Sequence, residues 1–184
     1  MNNPIKILCN KLRTSKIKNC GKHVEIEKPI KIQYEYIEIG DNSHILRDAR
    51  IQNVSGDTDI RIRIGNSTGI GYRFSVIAGA NVFIGNNLAI ASDVFLSAGS
   101  HGINPEYKVP YGCQAYLGSD IRICDGVWLG EKVIVMSGVQ IGEKSIIGAG
   151  SVVTRNIPSY CIAVGNPARV IKKYNFNLHK WEKV

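Results

Sequence analysis

The chain has 184 residues, 44 % of them hydrophobic, with 19 glycines and a formal net charge of +8. That is enough for one domain with a sizeable core and many turns, and no apolar run approaches the roughly 20 residues of a membrane-spanning helix. The positive charge gathers at the two ends rather than along a folded face interleaved with aromatics, so a nucleic-acid partner is not expected.

Residues 1–22 carry Lys6, Lys11, Arg13, Lys16, Lys18 and Lys22 and no acid, and Ile5, Leu8 and Leu12 mark one face of a short helix. Residues 1–25 are read as a cap over an open end of the fold, and their charge also suits a peripheral contact with an anionic membrane. Lys6, Cys9, Asn10 and Lys11 interrupt the apolar residues, so no signal-peptide core forms and a cytoplasmic location is expected. The cysteines (Cys9, Cys20, Cys113, Cys124 and Cys161) are odd in number and no two are spaced C-x-x-C. Free thiols and no metal site are the expectation.

From Ile26 weakly, and from Ile39 clearly, one repeat dominates. Ile39, Ile45 and Ile51 are six residues apart, as are Ile64, Ile70 and Val76, then Ile84, Ile90 and Leu96. The longest run is Ile123, Leu129, Val135, Ile141, Ile147 and Val153. The residue after the aliphatic is small in Gly40, Gly65, Gly71, Gly85, Ala91, Gly130, Gly142 and Gly148, and the fifth position favours small or β-branched residues. A period of six fits neither an α-helix nor a heptad. It fits a short strand and a tight turn, with Gly or Asn supplying the positive φ of the turn and stacked coils sharing an aliphatic core.

The period breaks once at length. After Leu96 the next clear hexad starts at Ile123, and residues 102–122 between them hold Pro105, Glu106, Tyr107, Pro110, Tyr111 and Gly112. A long loop in a regular solenoid is a functional candidate. His101 stands at its mouth, while His23, His44 and His179 lie in the ends or in an unbroken hexad and read as structural or exposed. Residues 169–184 form a basic tail with Arg169, Lys172, Lys173, Lys180 and Lys183 against Glu182.

The stretch GVWLGEKVIVMSGVQIGEKSIIGAGSVVTRNIP, Gly126 to Pro158, followed by AVGNPARVIKK, Ala163 to Lys173, resembles the hexapeptide-repeat acyltransferases, and within them the sugar and polysaccharide O-acetyltransferases. The resemblance covers residues 39–172 and implies a single-domain all-β solenoid. That is a left-handed parallel β-helix over residues 26–168, with a short N-terminal segment, one protruding loop and a short C-terminal segment. It implies a homotrimer with active sites between subunits, acetyl-CoA as cosubstrate without a metal, and a small-molecule or lipid-linked saccharide acceptor. His101 matches the family's catalytic histidine just before the loop. The acetyl-CoA positions map to Trp128, Gly130, Gly138, Ala149, Gly150 and Thr154, with Lys172, Arg169 and Lys173 toward the phosphates. The family's sugar enzymes often carry an acceptor-orienting Asn, and the matching region here, Gly69-Ile70-Gly71-Tyr72-Arg73-Phe74, lacks it. Tyr72 and Arg73, with the loop's Tyr107 and Tyr111, stand as acceptor-binding candidates.

Three other readings compete. An antibiotic or xenobiotic acetyltransferase, or a sugar N-acetyltransferase, uses the same solenoid. A γ-type carbonic anhydrase needs three zinc-binding histidines, and no paired histidine spacing surrounds His101. A non-catalytic β-helix scaffold needs neither the His101 loop nor the intact tail phrase.

Overall fold

The structure, a computed structural model, describes residues 4–184. Each hexad contributes one short strand, and successive aliphatics fall on successive faces of a three-sided coil. Strands three hexads apart stack in parallel. Ile39, Ile64, Ile84, Ile123 and Ile141 form one rung column on the first face. Ile45, Ile70, Ile90, Leu129 and Ile147 form the second, and Ile51, Val76, Leu96, Val135 and Val153 the third. These aliphatics are nearly all inaccessible to solvent and make one continuous core. The architecture is the left-handed parallel β-helix.

The small residues and the positive φ angles occupy different places in the hexad. Positive φ falls on the fourth residue, as in Asn42, Asp48, Ser67, Arg73, Asn87, Asp93, Lys132 and Lys144. The small second residue is needed for stacking instead. A Cβ on Gly65 would lie 2.5 Å from the Gly85 carbonyl oxygen, and one on Gly130 would lie 2.6 Å from the Ala149 amide nitrogen. Coil stacking brings the backbone of the next turn too close for any side chain there. The fifth position faces inward. Its buried hydroxyls donate to the neighbouring coil, Ser43 to Gly65 O at 2.7 Å and Thr68 to Gly85 O at 2.9 Å, as buried polar groups require. Phe74 fills the same position without any exposure.

Every long departure from the hexad lies at one corner, where the third face turns into the first: residues 54–61, 79–81 and 99–120. The excursion thus runs from 99 to 120, because Ile121–Ile123 already pairs with Val82–Ile84.

The ends differ from the sequence reading. Asn19–Cys20 pairs with Glu38–Ile39, and Glu25–Ile26 with His44–Ile45, so the first coil starts inside the 1–25 segment assigned to the cap. Two-residue strands without strong aliphatic spacing carry little periodic signal. The cap is the helix Pro4–Thr14, and none of its residues is buried. It is fastened by polar side chains: Asn10 Nδ2 donates to Val24 O and Asn10 Oδ1 accepts from Ile26 N, both at 2.8 Å, and Arg13 Nη1 donates to Ile26 O at 2.8 Å. These bonds satisfy the edge strand that a solenoid end exposes. The C-terminal segment is ordered sheet rather than a loose tail. Cys161–Gly165, Ala168–Asn175 and Lys180–Lys183 form an antiparallel meander that extends the second face. Tyr160, Phe176, Tyr174 and Trp181 meet edge to face along it, with ring centroids 4.9–5.3 Å apart. That packing orders a segment whose charge alone argues for solvation.

Candidate active site

The loop at the long corner is a built structure. Its two legs pair as an antiparallel ribbon, Ser100 opposite Leu117 and His101 opposite Tyr116. Gly102 N donates to Ala115 O at 2.8 Å. Gln114, buried at 7 % exposure, then holds the loop through its amide. Its Nε2 donates to Asn104 O at 2.9 Å and its Oε1 accepts from Asn104 N at 3.0 Å. Sequence reasoning passed over Gln114, because a lone Gln in a polar loop carries no periodic signal. Tyr107 and Tyr111 are exposed and, with Pro105, Lys108 and Pro110, line a concavity of about 350 Å³.

His101 is exposed, on the strand Ser100–His101 directly after the third-face strand Phe95–Ala98. The Gly99 carbonyl beside it accepts from Ser97 Oγ at 3.1 Å and from the Tyr116 hydroxyl at 2.9 Å. The Tyr116 ring lies in a slot over two glycines. A Cβ on Gly99 would come within 2.6 Å of the ring, and one on Gly79 would strike it. Burial pushes the Tyr116 phenol above its ordinary pKa. Gly138 stands one coil further at the same corner, its N–H donating to Ser119 O at 3.2 Å, and exposed Thr154 follows the strand Val152–Val153 one coil beyond.

The other sequence candidates lie elsewhere on the prism. Trp128, 53 % exposed, projects from the second face, opposite the His101 corner. Arg169, Lys172 and Lys173 lie on the strand that extends that face. Gly130, Ala149 and Gly150 stack at the corner between the second and third faces, and a Cβ on Gly150 would meet open space. Tyr72 and Arg73 occupy this corner too, two coils before Gly130 and three before Ala149. Arg73 is already engaged, Nε to Asp93 Oδ1 at 2.6 Å and Nη2 to Asp93 Oδ2 at 2.7 Å, while the Arg47 guanidinium lies over the Tyr72 ring at 5.3 Å. One chain therefore brings His101, Gly138, Thr154, Tyr107 and Tyr111 to one corner, and keeps the remaining candidates away from it.

Among the described residues no group of three or more His, Cys, Asp or Glu is arranged to hold a metal ion. All five cysteines are free. Burial pushes the Cys161 thiol up, away from the thiolate form that a nucleophile needs.

Residues 120–155 match the bacterial transferase hexapeptide family (six repeats). The chain is 39 % identical over 139 residues to the polysialic acid O-acetyltransferase of Escherichia coli O1:K1 / APEC, covering 75 % of this chain and 43 % of that protein. It is 36 % identical over 114 residues to the galactoside O-acetyltransferase of Escherichia coli K12, covering 62 % and 55 %. The chain spans about half the length of these relatives. Among solved structures, a galactoside acetyltransferase in complex with coenzyme A superposes with a TM-score of 0.60 at 25 % identity, covering 96 % of this chain and 75 % of that one. An N-acyltransferase from Bacillus cereus shares the fold, with a TM-score of 0.75 at 21 % identity over 91 % and 90 % of the two chains. By its repeat, its coil and these relatives, the chain belongs to the hexapeptide-repeat transferases.

Proposed function

We propose that the protein transfers acetyl from acetyl-CoA to a hydroxyl of a saccharide, with His101 as general base and a second copy of the chain completing each site. The observation that carries this reading is the position of His101, exposed at the mouth of a braced loop and anchored to the third-face strand. The O-acetyltransferase relatives support the acetyl group and the sugar class.

The chemistry is a direct transfer. Neutral imidazole accepts the proton of the acceptor hydroxyl as its oxygen attacks the thioester carbonyl. A new C–O bond forms and a tetrahedral oxyanion results, which backbone N–H groups stabilise. The C–S bond then breaks, and the imidazolium returns its proton to the departing CoA sulfur. The products are an acetyl ester and free CoA thiol, with no net proton change.

The second face and the corner beside it fit acetyl-CoA. Gly130 packs against the Ala149 backbone, and the exposed Ala149 and Gly150 leave backbone accessible at that corner, as a thin pantetheine arm requires. Arg169, Lys172 and Lys173 supply cations for the phosphates. These groups and His101 lie on opposite sides of one prism, and a trimer in which one chain's loop corner meets its neighbour's second face joins them. The assembly mass in solution tests this, and a monomer sinks the shared site.

Transfer is tested by thiol release from acetyl-CoA against a panel of sugars and glycan precursors, with His101→Ala beside the wild type. The expected loss is about two to four orders of magnitude in kcat with acetyl-CoA binding retained. A mutant that matches wild type refutes the base. Transfer to amino sugars alone moves the reading to N-acetylation, an N-acyl transfer as named for the Bacillus cereus structural neighbour.

A further inference from the structure

The N-terminal helix is mounted the wrong way round for a cap that buries its apolar side. On an α-helix, Ile5, Leu8 and Leu12 share one face, and Asn10 and Arg13 lie on the other. It is Asn10 and Arg13 that hold the helix to the first coil, through three hydrogen bonds to Val24 and Ile26. The apolar face points away, with Ile5, Leu8 and Leu12 exposed at 69 %, 59 % and 58 %. Lys11 flanks that stripe on the helix, Lys6 lies on the attached side with its ammonium 3.9 Å from Glu27 Oε1, and Lys16, Lys18 and Lys22 follow in a stretch without an acid.

We propose that this face docks the protein, as a peripheral contact, onto an anionic membrane surface. The arrangement has the parts of an interfacial helix: an apolar stripe, a cation beside it with three more just beyond its end, and a polar back. Eleven residues cannot span a bilayer, and no described helix is long and apolar enough to cross one. The occupant follows from charge and area. A stable contact between protein copies buries on the order of 1,200–2,000 Å², and three side chains on a short helix offer a small fraction of that. Two facing copies of this segment would also bring like charges together. A lipid surface of opposite charge needs only the stripe and the lysines, because apolar insertion and attraction to anionic headgroups add together. The first coil, not the helix, is the edge of the solenoid core, and Leu8 and Leu12 stand exposed without contributing to that core.

The experiment is co-sedimentation of the full chain with vesicles of phosphatidylcholine alone and of phosphatidylcholine containing one third phosphatidylglycerol. Leu8→Gln/Leu12→Gln and Lys11→Glu/Lys18→Glu are run beside the wild type, with circular dichroism to verify folding and sedimentation velocity to read the assembly. Wild type is expected to bind only the anionic vesicles and to be released by high salt, since the Debye length shrinks to about 3 Å at 1 M. Each folded double variant is expected to bind roughly tenfold less. No binding by wild type overturns the proposal, as does equal binding by the variants. Loss of the wild-type assembly in the Leu8/Leu12 variant overturns it too, because a second copy then covers the face. None of these outcomes depends on acetyl transfer.

Discussion

The imidazole of His101 meets the ring of Tyr116 edge to face, with centroids 5.2 Å apart and planes at 76°. Tyr116 is itself held twice, by its hydroxyl on Gly99 O at 2.9 Å and by the slot over Gly79 and Gly99. Ring and ribbon together fix where His101 stands relative to the third face. Tyr116→Ala is expected to lower kcat by about tenfold to a hundredfold, the cost of loosening a positioned group. The KM for acetyl-CoA and the melting temperature should barely move, because the loop lies outside the core. Tyr116→Phe keeps the ring and should recover most of the loss. A fall in melting temperature that parallels kcat, or no recovery by Phe, removes the positioning role.

Arg73 and Asp93 form a bidentate pair at two stacked corners, both with positive φ. The guanidinium of Arg73, through its hydrogen bonds, holds the Asp93 carboxyl below the ordinary carboxylate pKa. A carboxyl whose folded pKa is depressed contributes stability above its unfolded pKa of about 3.9, and loses that contribution as pH falls through the folded value. Asp93→Asn should therefore melt below wild type near neutral pH, and the two should converge as pH falls below about 4. The gap should also narrow in high salt, because the pair is solvent-exposed. A gap that is independent of pH assigns the loss to packing instead.

The coil was legible in the sequence because it is one rule applied repeatedly. Aliphatics at every sixth residue, from Ile39 to Val153, reappear as three columns of buried rungs. The loop was legible as the place where the rule stops, and with it His101. What escaped were features that depend on contacts between coils. Gly65 looked like a turn glycine and is a stacking glycine, while Ser67 two residues later takes the positive φ. Arg73 looked available for an acceptor and is taken by Asp93, one coil away in space and twenty residues away in sequence. Tyr116 and Gln114 act through partners across the loop, which no local spacing reveals. The apolar stripe of the N-terminal helix was visible, but its orientation was set by two polar residues on the opposite side.

The division of labour within a hexad makes opposite forecasts for neighbouring positions. Gly65→Ala drives a Cβ into the Gly85 carbonyl, a backbone group that cannot swing aside. Overpacking of this kind costs about 1–3 kcal/mol. Ser67→Gly removes a left-handed penalty at an exposed residue with φ of 51°. The added freedom of the unfolded chain offsets that relief, so stability should stay within about 0.5 kcal/mol of wild type. Chemical denaturation of both variants reads the difference. If both substitutions cost the same, the assignment of roles within the hexad is wrong.

Phe74 tests how the core is filled where the hexad rule is broken. It occupies an inward fifth position that elsewhere, Leu88 apart, holds small or β-branched residues, and it is fully buried. The strand register puts Ala49 at the same position one coil before it and Val94 one coil after. The small residue beside the large one lets the aromatic ring extend across the layer without widening the coil, which is how close-packed interiors accommodate unequal side chains. Phe74→Ala should then cost about 3–5 kcal/mol, read as a fall in denaturation midpoint with little change in slope. Pairing a reduced ring site with a larger neighbour, in Ala49→Leu/Phe74→Val, should recover part of that loss, since cores tolerate volume moved between touching positions better than volume removed. A Phe74→Ala cost below about 1 kcal/mol would mean the coils close over the gap.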